Sequence, residues 1–559
     1  MRRRAVYRHA GFKAIAGHFY AELLRRNPIT ATTLGEHAYD GLLPEVGAEA
    51  VDREIAGLRE MRDAFQSLPE RELSIDERLD RELALHMARM QLFLLEDVRR
   101  WRLGCDLAMM IGDALFMLFV RDFAPLHERV ESMLARLRAV PAYLMSGRTL
   151  FQHVPPLWGE IFIESAERLP DLLSAIEGGL SGRLPPPVMQ SFAHAAQEAR
   201  RAVAEHAHWL KFAIMPQATG DWAMEKGPFQ ALLGARQLGL TSGELLELGE
   251  TSLRQAQNKV DLHARALSGS QHGTTAGLRK AAIERIQAHA PATFEQALAA
   301  YRDAVARSRA WVEMTGFAAI PEGEQLEVIE TPSYLAHLIP FAAYMPPERT
   351  ARPQKGIYLV TRHAGDQSMH NYADIANTSI HEGYPGHHLQ LSGQNLHPGL
   401  WRGLADSIEL MEGWAHYCEE AVLAGGIEAN HENRLVQGRD EAWRSARILI
   451  DINLHQKSWS YDEGLAFLME HTAMNRASAE AEMRRYTQTP GYPLSYMAGK
   501  HLLLELKNSL QQRYGADCPD RAFHDLVINE GSLPLFLARE YYPKLLEEQL
   551  AAGQREQRS

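Results

Sequence analysis

The chain has little cysteine, more negative than positive charge, and few long apolar runs. Its 559 residues include three cysteines, Cys105, Cys418 and Cys518, which are too few and too far apart for a disulfide framework and favour a reducing compartment. Lys and Arg number 59 against 71 Asp and Glu, and a net charge of −12 argues against a general nucleic-acid-binding protein. Hydrophobic residues make up 46% of the chain, which excludes wholesale disorder.

Two segments that could mark a membrane or secreted protein do not fit that role. Residues 1–26 start with basic side chains, but no apolar run follows, so we interpret them as an amphipathic helix rather than a signal peptide. Residues 103–120 are apolar but contain Asp106 and Asp113, which are costly in hydrocarbon, so we predict a buried core helix. The sequence thus predicts a soluble, cytoplasmic protein with no membrane or nucleic-acid partner, and leaves its oligomeric state open.

Helical periodicity dominates the chain. Residues 356–360, Gly-Ile-Tyr-Leu-Val, instead have the composition of a β-strand. The sequence therefore predicts a mainly α protein with a small β element, divided into an N-terminal helical lobe (1–340) and a metal-binding lobe (341–559) that together form one continuous unit. Apolar residues recur three or four positions apart in the segments 51–97, 127–147, 187–214, 243–267, 276–314, 432–485 and 498–514.

The chain has 25 histidines, and seven of them lie between residues 363 and 416. Even scatter would place about 2.4 of them in residues 363–416, and such enrichment is typical of a metal site. Within this region the string HEGYPGHH (381–388) is similar to the zincin motif H-E-x-x-H, in which two His bind zinc and the Glu is the general base. The seven residues are His363, His370, His381, His387, His388, His397 and His416.

The spacing of this string does not suit a regular helix, because Pro385 stands where the second His belongs. On an unbroken helix His387 would lie about 9 Å along the axis from His381 and about 120° off its face, and His388 about 10.5 Å away. Neither could share one zinc with His381. The Gly and Pro residues in 383–386 break helices, so a detour of two extra residues would return His387 to the face of His381. The alternative is a helix end with exposed histidines.

A third ligand is expected on the segment 409–420, ELMEGWAHYCEE, which we predict to be a buried helix. Glu412, His416 and Glu419 recur there at i, i+4 and i+7, on one face. Ionisable groups on an apolar helix are costly unless they pair or bind metal, although an exposed acidic stripe is the alternative. We assign Glu412 to the metal and Glu419 to orienting a His ligand through its other ring nitrogen.

These motifs, taken in order, resemble the bacterial family catalogued as domain of unknown function 885, over nearly the whole chain. That family is in turn similar to zinc peptidases of the thimet oligopeptidase and thermostable carboxypeptidase type, with HExGH and a later E-x6-E helix. The resemblance is carried by Asn27-Pro28 with Ala31-Thr32 and Leu34-Gly35, HEGYPGHH, EGWAHYCE, Asp451 to His455 with Trp459, Arg485-Tyr486, Pro490-Gly491, and Ser495-Tyr496 with Gly499-Lys500.

The resemblance implies a zincin-like (gluzincin) helical body with a deep cleft between two lobes. It also implies zinc held by His381, His387 and Glu412, with His388 as the alternative second ligand and Glu419 as the supporting carboxylate. Relative to HExGH this chain has two extra residues, which is the detour derived above.

The expected activity is that of a zinc-dependent peptidase acting on short peptides. Zinc would bind and polarise a water molecule, and Glu382 would accept its proton and pass it to the leaving amine. His455, oriented by Asp451, and Tyr496 are candidate donors to the oxyanion. Alternatively, His455 and Asp451 form a purely structural pair, and Tyr496 is a core residue.

Two further residues are candidates for binding the substrate. Arg485 holds a substrate carboxylate or, alternatively, pairs with Glu482. Tyr358 lies on the strand at 356–360, which is expected to offer an edge to extended substrate. Two other functions stay open: a metal-dependent hydrolase of a non-peptide amide, and a metal-free binding scaffold. Iron or manganese is a less favoured metal.

Overall fold

The computed structural model describes residues 11–269, 273–331, 341–362, 367–472 and 474–556, and it is mainly α-helical, as predicted. The described residues form two compact units. The first comprises the chain up to Trp222 with Glu348–Ala351, and the second comprises most of the remainder. The sequence predicts a division into two lobes after residue 340. Residues 332–340 lie outside the described residues, so this division stays a prediction.

The first unit contains helices α1 to α8. Its most apolar helix, α5, confirms the core helix predicted within 103–120, since Leu107, Ile111 and Leu118 are almost fully buried. The Asp106 carboxylate accepts a hydrogen bond from Met109 N and so caps this helix. The helices are α1 (Phe12–Arg26), α2 (Pro28–Leu34), α3 (Ala48–Gln66), α4 (Ile75–Leu92), α5 (Leu107–Val120), α6 (Leu126–Gly147), α7 (Pro156–Leu180) and α8 (Pro186–Trp209).

Helix α1 accounts for the later part of the amphipathic helix predicted over 1–26, whose first ten residues lie outside the described range. Among the described helices, none has the length and apolar character that a membrane span requires. All three cysteines are free thiols, which agrees with the expectation of no disulfide framework.

The second unit contains helices α9 to α21 and a small sheet. Helix α16 packs along α10, and α15 packs along α19. The helices are α9 (Lys226–Arg236), α10 (Ser242–Ser268), α11 (Thr275–Ala288), α12 (Phe294–Thr315), α13 (Tyr372–Glu382), α14 (His387–Gln394), α15 (Ile408–Ala424), α16 (His431–His455), α17 (Tyr461–Thr472), α18 (Arg476–Gln488), α19 (Ser495–Tyr514), α20 (Asp520–Asn529) and α21 (Leu535–Glu556).

The sheet has three strands in the order β1 (Gln325–Glu330), β3 (Lys355–Val360), β2 (Ala342–Met345). The strand predicted at 356–360 is therefore confirmed as β3. However, β3 pairs with β1 in parallel and with β2 antiparallel, so both of its edges are occupied. The prediction that β3 offers an edge to substrate is wrong, because the outer edges of this sheet belong to β1 and β2.

Tyr358 lies in the middle of β3, and its side chain is completely buried. Its ring packs edge-on against Tyr301, with 5.6 Å between the ring centroids. A side chain without solvent exposure does not contact an incoming substrate, so the predicted substrate-binding role of Tyr358 is corrected to a role in the core.

Candidate metal centre

The chain breaks its helix between Glu382, the last residue of α13, and His387, the first residue of α14. The four residues between them turn back, with Gly386 N donating to Ile380 O over 3.1 Å. From the next element, α15, Trp414 Nε1 donates to Pro385 O over 2.9 Å and secures the turn. The predicted detour is therefore present.

Gly386 is required by close packing of the backbone. A Cβ atom at this position would lie 2.0 Å from His381 O and 2.4 Å from Ile380 O. These are backbone atoms of the preceding helix and have little freedom to move. Only glycine lets the chain cross so close to the end of α13.

This detour brings two imidazoles against one carboxylate. His381 Nε2 and His387 Nε2 each lie 3.6 Å from Glu412 Oε2. The three donor atoms all lie within 4.8 Å of one another. Both histidines are buried and Glu412 is nearly so, with its side chain 14% exposed. The structure thus joins the three residues that the sequence assigned to a metal.

The electrostatics of the cluster follow from its burial and pairing. Burial by itself would lower the pKa of His381, but its contacts with Glu412 and Glu419 raise it to about 10. Burial would raise the pKa of Glu412, yet the two imidazoles hold it well below its usual range. Glu412 is therefore an anion at neutral pH.

Glu419 supports His381 from behind. His381 Nδ1 donates to Glu419 Oε1 over 2.8 Å, and Arg444 Nη2 donates to the same oxygen over 3.0 Å. Asn377 Nδ2 donates to the other oxygen, Oε2, over 3.2 Å. Although burial would raise the pKa of Glu419, the Arg444 charge keeps it well below its usual range. A carboxylate held in this way fixes which nitrogen of His381 faces Glu412.

His388, the alternative second ligand, is engaged elsewhere. Its Nε2 donates to Glu324 Oε2 over 2.6 Å, and the Tyr344 hydroxyl donates to its Nδ1 over 3.0 Å. Glu324 also accepts a hydrogen bond from the Tyr384 hydroxyl and pairs with Arg309. With both ring nitrogens bonded, His388 anchors α14 and leaves the cluster to His387. Sequence reasoning missed Glu324, since no motif surrounds it.

Comparison with known protein families identifies the family to which this chain belongs. A family model described as a bacterial protein of unknown function (DUF885) matches residues 28–540. The chain belongs to the DUF885 family. No curated protein matches the chain significantly.

Two solved structures share the DUF885 chain's fold. One is "a putative lipoprotein of unknown function" from Shewanella oneidensis, which is 20% identical in sequence and superposes with a TM-score of 0.78. The match covers 95% of this chain and 99% of the lipoprotein chain. The other, a "putative lipoprotein" from Colwellia psychrerythraea, is 17% identical with a TM-score of 0.81, covering 96% and 99%. At these identities the likeness concerns the fold alone.

Two residues predicted for this DUF885 site have structural roles instead. Asp451 accepts backbone hydrogen bonds from Gly491 N (3.1 Å) and Leu494 N (3.2 Å). His455 Nε2 donates to Tyr486 O over 3.0 Å, and its Asp451 contact is longer, at 3.8 Å. The prediction of His455 as an oxyanion donor is therefore wrong. The His455 ring is fully buried and its Nε2 is committed to the backbone of α18, whereas Asp451 holds the turn before α19.

That turn places Tyr496 near the cluster. Burial, together with the negative charge of Glu412, raises the pKa of Tyr496 well above its usual value, so the phenol is a neutral donor. Its hydroxyl lies 3.3 Å from the Tyr492 hydroxyl, and the Arg447 guanidinium lies over its ring, 4.4 Å from the centroid. The sequence prediction for Tyr496 is compatible with this position.

The remaining candidates are partly accessible. Glu382 directly follows His381 at the end of α13 and is half-buried, and its charge contributes to the raised pKa of His381. Arg485 Nη2 donates to Glu482 Oε2 over 2.7 Å, which is the pairing that the sequence left as one of two options. Of the other histidines in the region, His363 lies outside the described residues.

We predict that Gly386→Ala destabilises the second unit by about 1–3 kcal/mol, because a methyl group is forced into the backbone of α13. Gly234→Ala, in helix α9, is the matched control. A Cβ there meets nothing within 4 Å, so stability stays equal or rises by up to about 1 kcal/mol. Denaturant unfolding of both variants measures the difference. Equal stability of Gly386→Ala and the unchanged chain would contradict the close crossing.

Proposed function

We propose that this chain is a zinc-dependent peptidase that hydrolyses short peptides. The observation that carries the proposal is the convergence of His381, His387 and Glu412 on one point inside the second unit. Two imidazoles and one carboxylate are the protein ligands of one class of catalytic zinc site, in which a water molecule or substrate takes the fourth position.

The spacing of these atoms fits a zinc ion. Two ligands of a tetrahedral zinc, each about 2.1 Å from the metal, lie about 3.4 Å from each other. Each imidazole nitrogen here lies 3.6 Å from the carboxylate oxygen, too far for a hydrogen bond. Glu412 Oε2 is also a buried polar atom without a hydrogen bond among the described residues. A cation between the three groups would satisfy the carboxylate and balance its charge.

Zinc held there would act as a Lewis acid on the substrate carbonyl and on a water molecule. Glu382 accepts the proton of that water and delivers it to the leaving amine. Tyr496, whose pKa is raised by burial and by the charge of Glu412, donates a hydrogen bond to the developing oxyanion. Glu419 keeps His381 oriented throughout. We also propose that the chain has a gluzincin-like body with a deep cleft and that it is cytoplasmic. The relatives of known structure bear the description "putative lipoprotein".

Removing the carboxylate at position 412 is expected to remove the metal. Glu412→Ala leaves two imidazoles, so bound zinc falls from about one per chain to near zero by elemental analysis. Glu420→Ala is the matched control on the same helix, because the Glu420 side chain is 51% exposed and pairs with Lys500. Equal zinc in both variants would show that Glu412 is not a ligand. No metal in the unchanged chain would favour the metal-free scaffold.

Removing only the charge at position 382 is expected to abolish most of the hydrolysis while leaving zinc binding intact. Glu382→Gln keeps zinc but lowers hydrolysis about 10²–10⁴-fold, the usual contribution of a general base. The loss is measured by hydrolysis kinetics on a panel of short peptides and non-peptide amides, which also shows which of these two substrate classes is cleaved. Glu420→Gln is the control variant. Full activity of the Glu382→Gln variant would refute the assignment of the base.

A further inference from the structure

A pocket lies between helices α10, α11, α16 and α17 of the second unit, and none of the three proposed metal ligands is among its described lining residues. Its volume is about 640 Å³, which is in the range of sites for small organic molecules. The floor is apolar, because Val260, Leu435 and Ala442 line it and are almost fully buried. Ile283 adds to this apolar lining from α11. The pocket therefore suits a ligand with an apolar side chain.

The rim of this pocket carries charges of both signs. Lys280 is 78% exposed, and its ammonium group lies 3.8 Å from the Glu284 carboxylate, too far for a hydrogen bond. Glu470, near the end of α17, is exposed and has no ion pair with the described residues. Arg279 also lines the pocket, but Asp261 pairs with it. The rim thus offers an ammonium group and carboxylates to a ligand that itself carries both charges.

Arg439 connects the pocket to the helix that carries His381. Its side chain lines the pocket from α16 and is 32% exposed. Arg439 Nη2 donates to Asp374 Oδ1, in the first turn of α13, over 2.5 Å, and to Asp440 Oδ1 over 2.9 Å. A carboxylate that enters the pocket therefore meets a guanidinium group that two acidic side chains already share.

Hydrogen bonds continue from Asp440 to the metal cluster. Asn377 Nδ2 donates to Asp440 Oδ2 over 2.9 Å and to Glu419 Oε2 over 3.2 Å. Glu419 Oε1 accepts the 2.8 Å hydrogen bond from His381 Nδ1. Arg444 contacts both carboxylates, with Nη2 3.0 Å from Glu419 Oε1 and Nη1 3.8 Å from Asp440 Oδ2. Direct side-chain contacts thus join the pocket to His381.

We propose that this pocket binds a free amino acid with an apolar side chain, and that its binding slows hydrolysis at the metal centre. The side chain occupies the apolar floor, the ammonium group pairs with Glu470, and the carboxylate pairs with Lys280 and Arg439. The inference rests on the proposed peptidase function, because free amino acids are products of the hydrolysis of short peptides.

The effect on the metal centre follows from the shared contacts of Arg439. When the carboxylate of the ligand draws Arg439 away from Asp440, the Asp440 charge attracts Arg444. Glu419 then loses part of the support with which it orients His381. The amino acid therefore acts without entering the metal centre.

Titration calorimetry with L-leucine, which no peptidase can cleave, tests the binding site. The unchanged chain is expected to bind leucine, and to bind N-acetyl-leucine amide, which lacks both charges, about 10–100-fold more weakly. Ile283→Trp fills the pocket and abolishes leucine binding, and Lys280→Gln, at an exposed position, weakens it about 10-fold. Leu262→Trp is the matched control, because Leu262 is on α10, 63% exposed and outside the described lining. Absence of leucine binding, equal binding of the amide, or binding that Ile283→Trp and Lys280→Gln leave unaltered overturns the site.

Kinetics with a short peptide that the unchanged chain cleaves tests the regulation. Saturating leucine is expected to lower kcat about 5-fold or more with little change in KM, whereas leucine bound as a product at the metal centre raises KM alone. The kcat effect is lost in Ile283→Trp and kept in Leu262→Trp. An effect on KM alone, or an equal loss of kcat in Ile283→Trp, overturns the regulation and leaves the peptidase standing.

If no peptide is cleaved, the peptidase proposal fails, and amide hydrogen exchange of α13 with and without leucine decides whether the pocket acts on this helix. A change in exchange that Ile283→Trp abolishes and Leu262→Trp preserves supports the coupling. Exchange that leucine leaves unaltered overturns it.

Discussion

The interruption of the helix between Glu382 and His387 is the constraint on which the candidate site depends. Without it, the two imidazoles would face different directions and Glu412 would meet only one of them. The interruption is enforced on two sides, by the absence of a side chain at Gly386 and by the Trp414 hydrogen bond to Pro385 O. Because Trp414 and Glu412 are on the same helix, the contact that fixes the turn also places the carboxylate.

The second requirement is electrostatic. Glu412 and Glu419 are two buried carboxylates about two turns apart on the same face of α15, and they share His381 but differ in their other partners. Glu419 receives hydrogen bonds from an imidazole, an arginine and an amide, so its charge is satisfied within the protein. Glu412 has two imidazoles at a distance too long for hydrogen bonds. This asymmetry is the physical reason why we propose Glu412 as the metal ligand and Glu419 as the supporting carboxylate.

The sequence predicted what is local and missed what depends on tertiary pairing. The helical class, the strand at β3 and the break in the helix follow from patterns within short segments. The choice of Glu412 as the third ligand candidate depends in addition on the family resemblance, because Glu412 is on a different helix from the two histidines. The central place of β3 in its sheet and the burial of Tyr358 depend on strands distant in sequence, so a strand pattern alone could not show them. The i, i+4 spacing of Asp451 and His455 predicts a carboxylate–imidazole pair, but these atoms lie 3.8 Å apart and the hydrogen bonds of both side chains go to backbone atoms of another helix and of a turn.

Glu324 immediately precedes β1, and its carboxylate holds both His388 and the Tyr384 hydroxyl. The sheet and the helix break are therefore joined through one side chain at a strand end. Surface turns usually accept insertions and deletions freely. The turn leading into β1 is an exception, since a single added or lost residue there would shift the carboxylate out of register with α14. Its length is consequently as constrained as the chemistry of the residues it supports.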